Sequence, residues 1–194
     1  MISYEELVAL FEKANKTFLQ SDVGLLCNGV AERTLCGALM YHLRKITDGE
    51  REYEGYYADV EYNRNDGRVK TMIDDDFSVV KITCDLILHS RGLHPEQDNL
   101  IALEMKKAHR PQAEKQDDKN RLIALTRTAE DEGWSNGESA LPEHVCGYAL
   151  GVYYEIDYVK EKIHIEYYKR GQYQATHSCS YKRYKKANRL LMGG

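Results

Sequence analysis

Asn99-Leu-Ile-Ala-Leu-Glu-Met-Lys106 runs from an uncharged segment into an acid and a base. Burying an acid and a base at the end of a strand is costly unless both are used. Alternate side chains of a strand share a face, so Glu104 and Lys106 point the same way, about 6–7 Å apart. A second strand-like run, residues 79–88, contains Asp85. If the two strands pair, two carboxylates and an ammonium group converge on one point.

This convergence predicts a Mg²⁺ (or Mn²⁺) site with a lysine beside it. A hard cation prefers oxygen ligands and keeps several waters, so Asp85 and Glu104 suffice as carboxylates, with the backbone carbonyl of Met105 as a third ligand. Such a cation activates water and neutralises charge that develops on a phosphate. Lys106 would orient or deprotonate the attacking water, or stabilise the pentavalent phosphate.

The rest of the chain predicts one domain, residues 1–194, of α/β (α+β) class with a central mixed β-sheet flanked by helices. An amphipathic helix over residues 4–19 opens with a capping box, Ser3 to Glu6. Asn65-Asp66-Gly67 is a turn signal in a polar connection. Beyond residue 19 the patterns predict further helices over 30–45 and 116–132, strands over 56–62, 78–89, 99–106, 145–156 and 160–168, and a short basic helix from Ser180.

Cys84-Asp85, a spacer and Glu104-Met-Lys106 resemble the motif of the PD-(D/E)XK nuclease superfamily. The resemblance extends from the second helix to the strand at Val145, and the predicted element order is similar to the common core of that superfamily. The chain departs from the pattern at Cys84, where the family often has proline. The resemblance implies a restriction-endonuclease-like core and a Mg²⁺-dependent endonuclease that hydrolyses phosphodiester bonds, with DNA as the expected substrate.

Glu32 is a further candidate metal and catalytic residue. Cys36, Leu39 and Leu43 follow it at i+4, i+7 and i+11, which puts the carboxylate on the inward face of the second helix. The superfamily often has a glutamate on this helix that reaches the metal, so the resemblance implies that role. The alternative is an acid in the first helical turn that favours the helix dipole.

Three cations near the motif are candidates for nucleic-acid contact. Arg64 ends the first strand, Lys107 follows the Glu-x-Lys motif, and Arg121 lies with Asp118 on the later helix. A solvent-exposed strand end explains Arg64 nearly as well, and a surface helix face explains Arg121 and Asp118 better, since charged residues are mostly exposed. His89 suits a general base, but Lys106 offers that role already, which favours a structural or substrate-contact role for His89.

The C-terminal segment, residues 167–194, is basic and rich in tyrosine. It carries seven Lys and Arg and no acid, so the rest of the chain sums to −11 (−4 minus +7). Cations interleaved with aromatic rings suit phosphate contact with base stacking. The alternatives are a solvated basic helix end or a tail that pairs with the acidic body. The candidate nucleic-acid contacts here are Lys182, Arg183, Lys185 and Lys186.

Composition indicates a cytoplasmic protein. No apolar run has the length of a membrane span, and the N-terminus lacks a signal pattern, so no membrane partner is expected. The five cysteines are scattered without a CxxC pair, which favours reduced thiols. His177-Ser-Cys179 resembles half a zinc site but has no second pair at suitable spacing. The resemblance implies a homodimer, because cutting both strands of a duplex usually takes two active sites.

Two alternatives to a nuclease remain open. The first is a non-catalytic module that binds nucleic acid or protein and retains the nuclease fold; the acidic body favours it. The second is a metabolic enzyme of unrelated fold in which Glu104 and Lys106 form a surface ion pair. The sequence lacks a Gly-rich phosphate loop, a nucleophile elbow and an HExxH motif that would support this second alternative.

Overall fold

The computed structural model describes residues 1–61, 84–128 and 147–185, and also the backbone of four short strands between residues 64 and 81. None of the described helices combines the length and the apolar character that a membrane crossing requires. A helical turn covers residues 182–185. The α-helices are α1 (Tyr4–Ser21), α2 (Val23–Cys27), α3 (Glu32–Thr47) and α4 (Gln112–Thr126), with single 3₁₀ turns at Arg51–Tyr53 and Pro95–Gln97.

A six-stranded sheet organises the described chain, in the order β1-β6-β7-β8-β9-β10. All neighbours are antiparallel except β7 and β8, which are parallel and lie on either side of α4 in the sequence. Two small antiparallel pairs, β2 with β3 and β4 with β5, stand apart from this sheet. The strands are β1 (Tyr57–Val60), β2 (Arg64–Asn65), β3 (Arg68–Val69), β4 (Thr71–Ile73), β5 (Val79–Lys81), β6 (Leu86–His89), β7 (Asn99–Lys107), β8 (Leu150–Asp157), β9 (Lys162–Lys169) and β10 (Gln172–Ser180).

Helices α1 and α3 cover one face of the sheet and form the larger core with it. The predicted capping box is confirmed: Ser3 accepts from the backbone N–H of Glu6, and the Glu6 carboxylate accepts from the Ser3 N–H. The apolar stripe of α1 packs inward, with Leu7, Ala14 and Phe18 fully buried. Strand residues at odd positions of β7, such as Leu103, point into this core. This face of the sheet is therefore covered by apolar side chains along most of its length.

Helix α4 covers the opposite face and packs on a smaller cluster that includes Ala102 and Leu122. The backbone of β8 passes close beneath α4 at Gly151. A Cβ there would lie 2.9 Å from Thr126 Cγ2 and 3.1 Å from Tyr168 Cβ. The absence of a side chain at this position sets the distance between α4 and the sheet, and with it the height of the α4 side chains above β7.

The predicted α+β class, with a central mixed sheet flanked by helices, is confirmed. Several elements differ from the prediction. The predicted strand over 78–89 is two strands, β5 and β6, in different sheets. Helix α4 begins at Gln112, four residues before the predicted start. Strand β10 was not expected, because eight of its nine residues are exposed and no alternation marks them. Asp66 and Gly67 of the predicted turn, together with Ala129 and Val145, lie outside the described residues.

Candidate active site

The antiparallel register of β6 and β7 brings Asp85 and Glu104 together. Leu86 lies opposite Leu103, so Asp85, which directly precedes β6, faces Glu104 of β7. Both side chains point to the α4 face, since Ile87 and Ala102 of the same strand faces belong to the cluster beneath α4. The two carboxyl groups are close enough for the Asp85 charge to raise the pKa of Glu104. The pairing expected from the sequence is therefore present.

A backbone hydrogen bond fixes the Asp85 carboxylate over β7. Its Oδ2 accepts from the backbone N–H of Met105 at 2.8 Å. The Met105 side chain points to the other face, where its sulfur contacts Cys36 at 3.7 Å. Burial raises the pKa of Asp85, and the Met105 hydrogen bond and the Lys106 charge only partly offset this. Asp85 is thus a preorganised oxygen ligand, and burial destabilises its charged form unless a cation lies nearby.

Glu104 is the most deeply buried acid of the site, with 2% of its surface exposed. Its Oε1 accepts from the Arg121 guanidinium at 2.7 Å. Burial nevertheless raises the pKa of Glu104 to about 8; Arg121 opposes this shift and the nearby Asp85 charge adds to it. At neutral pH the Glu104 carboxyl therefore favours its protonated form.

Lys106 and Arg121 both reach Asp118, which completes a chain of charges along this face. Lys106 Nζ lies 2.8 Å from Asp118 Oδ2, and Arg121 lies 3.1 Å from Asp118 Oδ1. Burial lowers the pKa of Lys106, but its close ion pair with Asp118 outweighs burial and places the pKa above its usual value. Lys106 is therefore an ammonium ion at neutral pH. It can donate to a water or a phosphate oxygen, and it cannot accept a proton from them.

Asp118 and Arg121 point toward Lys106 and Glu104 of β7, and the surface position that the sequence favoured is wrong for Asp118. Asp118 is 4% exposed. The sequence contained a signal for this: Leu122 and Leu125 are core residues, and Asp118 and Lys115 precede them by four or more residues on the same helical stripe. Asp118 was not among the expected site residues, and the structure adds it.

Glu32 lies beside the site, but its carboxylate already accepts a backbone hydrogen bond. It is the first residue of α3, and its Oε1 accepts from the Lys107 N–H at 2.8 Å. Its charge still reaches the cluster: Glu32, Asp85, Glu104 and Glu61 all add to the burial that raises the pKa of the Cys36 thiol. The expected inward acid on this helix is thus present, at the edge of the carboxylate pair.

The other expected site residues are dispersed. Lys107 Nζ donates to the Gly29 carbonyl at 3.2 Å and lies over the Tyr158 ring, so it supports the fold at this edge. Lys185 pairs with Glu161 at 2.5 Å. Lys182 and Arg183 are exposed. The side chain of Arg64 and the whole of Lys186 lie outside the described residues.

His89 has the structural role that the sequence favoured. It is 2% exposed, and its Nε2 lies 3.1 Å from Asp59 Oδ2. Asp59 also accepts three hydrogen bonds from Arg91. The Asp59–His89 pair joins β1 to β6 at the end of the strand away from Asp85. It is not part of the carboxylate cluster.

The polar side chains of β8 and β9 extend the same face beyond Asp118. Lys119 pairs with Glu166 at 2.6 Å, and Lys115 pairs with Glu155 at 3.1 Å. Glu166 also accepts from Tyr168 and lies 3.1 Å from His164. His164, Glu166 and Tyr168 alternate along β9, so their period-two spacing could have shown that they share one face. Within the described ranges, no three His, Cys, Asp or Glu side chains already stand as a metal-ligand set.

Comparisons of this chain with known protein families, with curated proteins and with solved structures give no match.

Proposed function

We propose that this chain is a divalent-metal-dependent nuclease that hydrolyses phosphodiester bonds, with DNA as the substrate. The observation that carries the proposal is that the strand register places Asp85 and Glu104 opposite each other on the α4 face, with the Lys106 ammonium on the same face. Two buried carboxylates in contact need a proton or a cation between them. An ammonium group next to that point suits a reaction in which negative charge develops on a phosphate.

The donor set suits Mg²⁺ or Mn²⁺. Asp85 and Glu104 offer oxygen ligands, and Mg²⁺ usually binds through one or two carboxylates and keeps waters for its other positions. Glu32 and the Met105 carbonyl are the further candidate ligands. When bound, the cation would supply Lewis-acid activation of water and of the phosphate. Glu104 would give up its proton to bind it, so the chain supplies a ligand whose charge is created by metal binding.

The cations of the site would then act on the substrate. Lys106 would donate a hydrogen bond to the attacking water or to a non-bridging phosphate oxygen. Arg121 lies at the margin of the site, with 27% of its side chain exposed, and would contact the phosphate of the same nucleotide. Asp118 would position both cations, because it contacts Lys106 and Arg121 in the metal-free site.

The proposed setting is the cytoplasm, and the proposed assembly is a homodimer. The described cysteines Cys27, Cys36, Cys84 and Cys179 form no disulfide bond with one another, which is typical of a reducing compartment. A homodimer would present two such sites to the two strands of a duplex. A membrane partner forms no part of the proposal.

A second candidate function is a non-catalytic module that retains the nuclease fold and binds nucleic acid or protein. The contacts of Arg121 with Glu104 and of Lys106 with Asp118 favour it. They give each of the four side chains a partner without any ligand. On this alternative, the network is a stabilising bridge between β7 and α4.

The test is cleavage of plasmid, linear duplex and single-stranded DNA with Mg²⁺ or Mn²⁺. Glu104→Gln and Lys106→Met should each lower the rate by about a hundredfold or more, since they remove a metal ligand and a phosphate donor. Asp117→Asn is the matched control, because Asp117 is exposed on α4 next to Asp118. Cleavage by Glu104→Gln at the wild-type rate on every substrate would refute the proposed site. DNA binding without cleavage, unaffected by Mg²⁺, would favour the second candidate.

A further inference from the structure

A groove of about 660 Å³ lies on the opposite face of the sheet from the candidate active site. Helix α1 forms one wall, and the end of β10 with the turn over residues 182–185 forms the other. Cys179 and Tyr184, which line the groove, pack against the core beneath α1, whereas Glu104 faces α4. The groove is therefore separate from the carboxylate cluster.

Four basic side chains surround this groove: Lys13, Lys16, His177 and Arg183. All four are exposed. Within the described part of the chain, Lys13 and Lys16 have no carboxylate partner, and Arg183 contacts only the Tyr184 ring and hydroxyl. Other lysines nearby are neutralised, as Lys185 is by Glu161. The charges of Lys13, Lys16 and Arg183 around a concave surface focus a positive potential there.

One carboxylate also lines the groove. Glu12 accepts a hydrogen bond from the Tyr167 hydroxyl, which lies on β9 beneath α1. This hydrogen bond directs the carboxylate toward the sheet. The remaining charge of the lining is positive by three Lys and Arg side chains against this one acid.

A buried amide adds a fixed donor to the groove. Asn15 lines it and is only 2% exposed. Its Oδ1 accepts from the Tyr154 hydroxyl at 2.8 Å, which fixes the orientation of the amide. Among the described residues, its Nδ2 has no acceptor, so both N–H donors remain for an occupant of the groove. A donor held by the core in this way loses little side-chain entropy when it binds a ligand.

We infer that this groove binds the phosphate of a nucleotide, either free or within a single nucleic-acid strand. Lys13, Lys16 and Arg183 would hold the phosphate oxygens, with the Asn15 amide as the neutral donor. Leu19 and Cys179 supply an apolar surface for the sugar or base. The volume lies within the usual range for small-ligand sites. The inference does not depend on the proposed nuclease site, which lies on the other face.

The experiment measures fluorescence anisotropy of a labelled oligothymidylate of about eight nucleotides, in EDTA so that metal-dependent cleavage is absent. The double variant Lys16→Ala/Arg183→Ala should bind about tenfold more weakly. The slope of log affinity against log salt should decrease by about 1.4, or 0.7 for each lost phosphate contact. Lys45→Ala is the matched control, because Lys45 is an exposed helical lysine on α3, outside the groove. It should bind as the wild type does.

Competitors identify the source of the phosphate. A free-nucleotide site is indicated if AMP displaces the oligonucleotide from the wild type but does not displace the weaker binding that remains in the double variant. Oligonucleotide binding that AMP does not displace indicates a strand site. Equal affinity in the wild type and the double variant would overturn the inference. So would the absence of binding to either probe, or equal competition by an oligoglutamate peptide. The assay contains EDTA and measures binding alone, so a failure of this inference can be distinguished from a failure of the nuclease proposal.

Discussion

Metal binding at Asp85 and Glu104 should depend steeply on pH below about 8. The pKa of Glu104 is raised to about 8 in the metal-free site. A divalent cation binds the deprotonated form, so the apparent affinity equals the intrinsic affinity multiplied by the deprotonated fraction. That fraction is about one tenth at pH 7 and about nine tenths at pH 9. The Mg²⁺ affinity should therefore rise about tenfold between these values and level off above pH 8.

Calorimetry measures this linkage directly. Titrations with Mg²⁺ at pH 7 in two buffers of different ionisation enthalpy should show release of about 0.9 proton per metal, and release should fall to about 0.1 proton at pH 9. Glu104→Gln should abolish the metal heat, whereas Asp117→Asn should preserve both the affinity and the proton count. A wild-type affinity that is flat from pH 6 to 9, or metal binding without proton release at pH 7, would refute this account of Glu104.

Further predictions concern stability. Without metal, the raised pKa of Glu104 means that the folded protein holds this proton more tightly than the unfolded chain does, so the unfolding free energy should decrease between pH 4.5 and about 8. Glu104→Gln should flatten that slope, which is at most about 1.4 kcal/mol per pH unit, in urea titrations at several pH values. Gly151→Ala should cost about 1–3 kcal/mol by urea unfolding, because its Cβ would meet Thr126 at 2.9 Å. Leu103→Ala in the core should cost about 2–5 kcal/mol by the same measurement. Ser3→Ala should lower the thermal midpoint by removing a cap that is worth about 1 kcal/mol.

Local patterns carried the sequence-based predictions that the structure confirms. The capping box at Ser3 and the stripe of α1 depend on residues within a few positions of each other, so composition and spacing are enough to identify them. The pairing of Asp85 with Glu104 is longer in range. It was accessible because two buried strands that pair must place their few polar residues on a common face.

The features that the sequence did not indicate are those held by tertiary contacts alone. Strand β10 exposes nearly all its side chains and exists through its backbone pairing with β9, so neither its composition nor its periodicity distinguishes it from a loop. Asp118 lies in a helix whose first half is almost wholly polar, and its burial follows from the position of α4 above β7. Tyr181, expected as part of a basic tail, is 1% exposed and packs in the core.

The balance of charge in the site suggests how metal and substrate depend on each other. When fully ionised, Asp85, Glu104 and Asp118 carry three negative charges against the two positive charges of Lys106 and Arg121. One proton brings this sum to zero, whereas one divalent cation brings it to +1. A bridging phosphodiester carries one negative charge, so the metal-loaded site is complementary to it and the protonated site is not. We therefore expect Mg²⁺ to raise the affinity of the wild type for a non-hydrolysable DNA analogue, measured by anisotropy. Glu104→Gln should remove the metal effect, and an unchanged Mg²⁺ enhancement would show that the cation acts elsewhere.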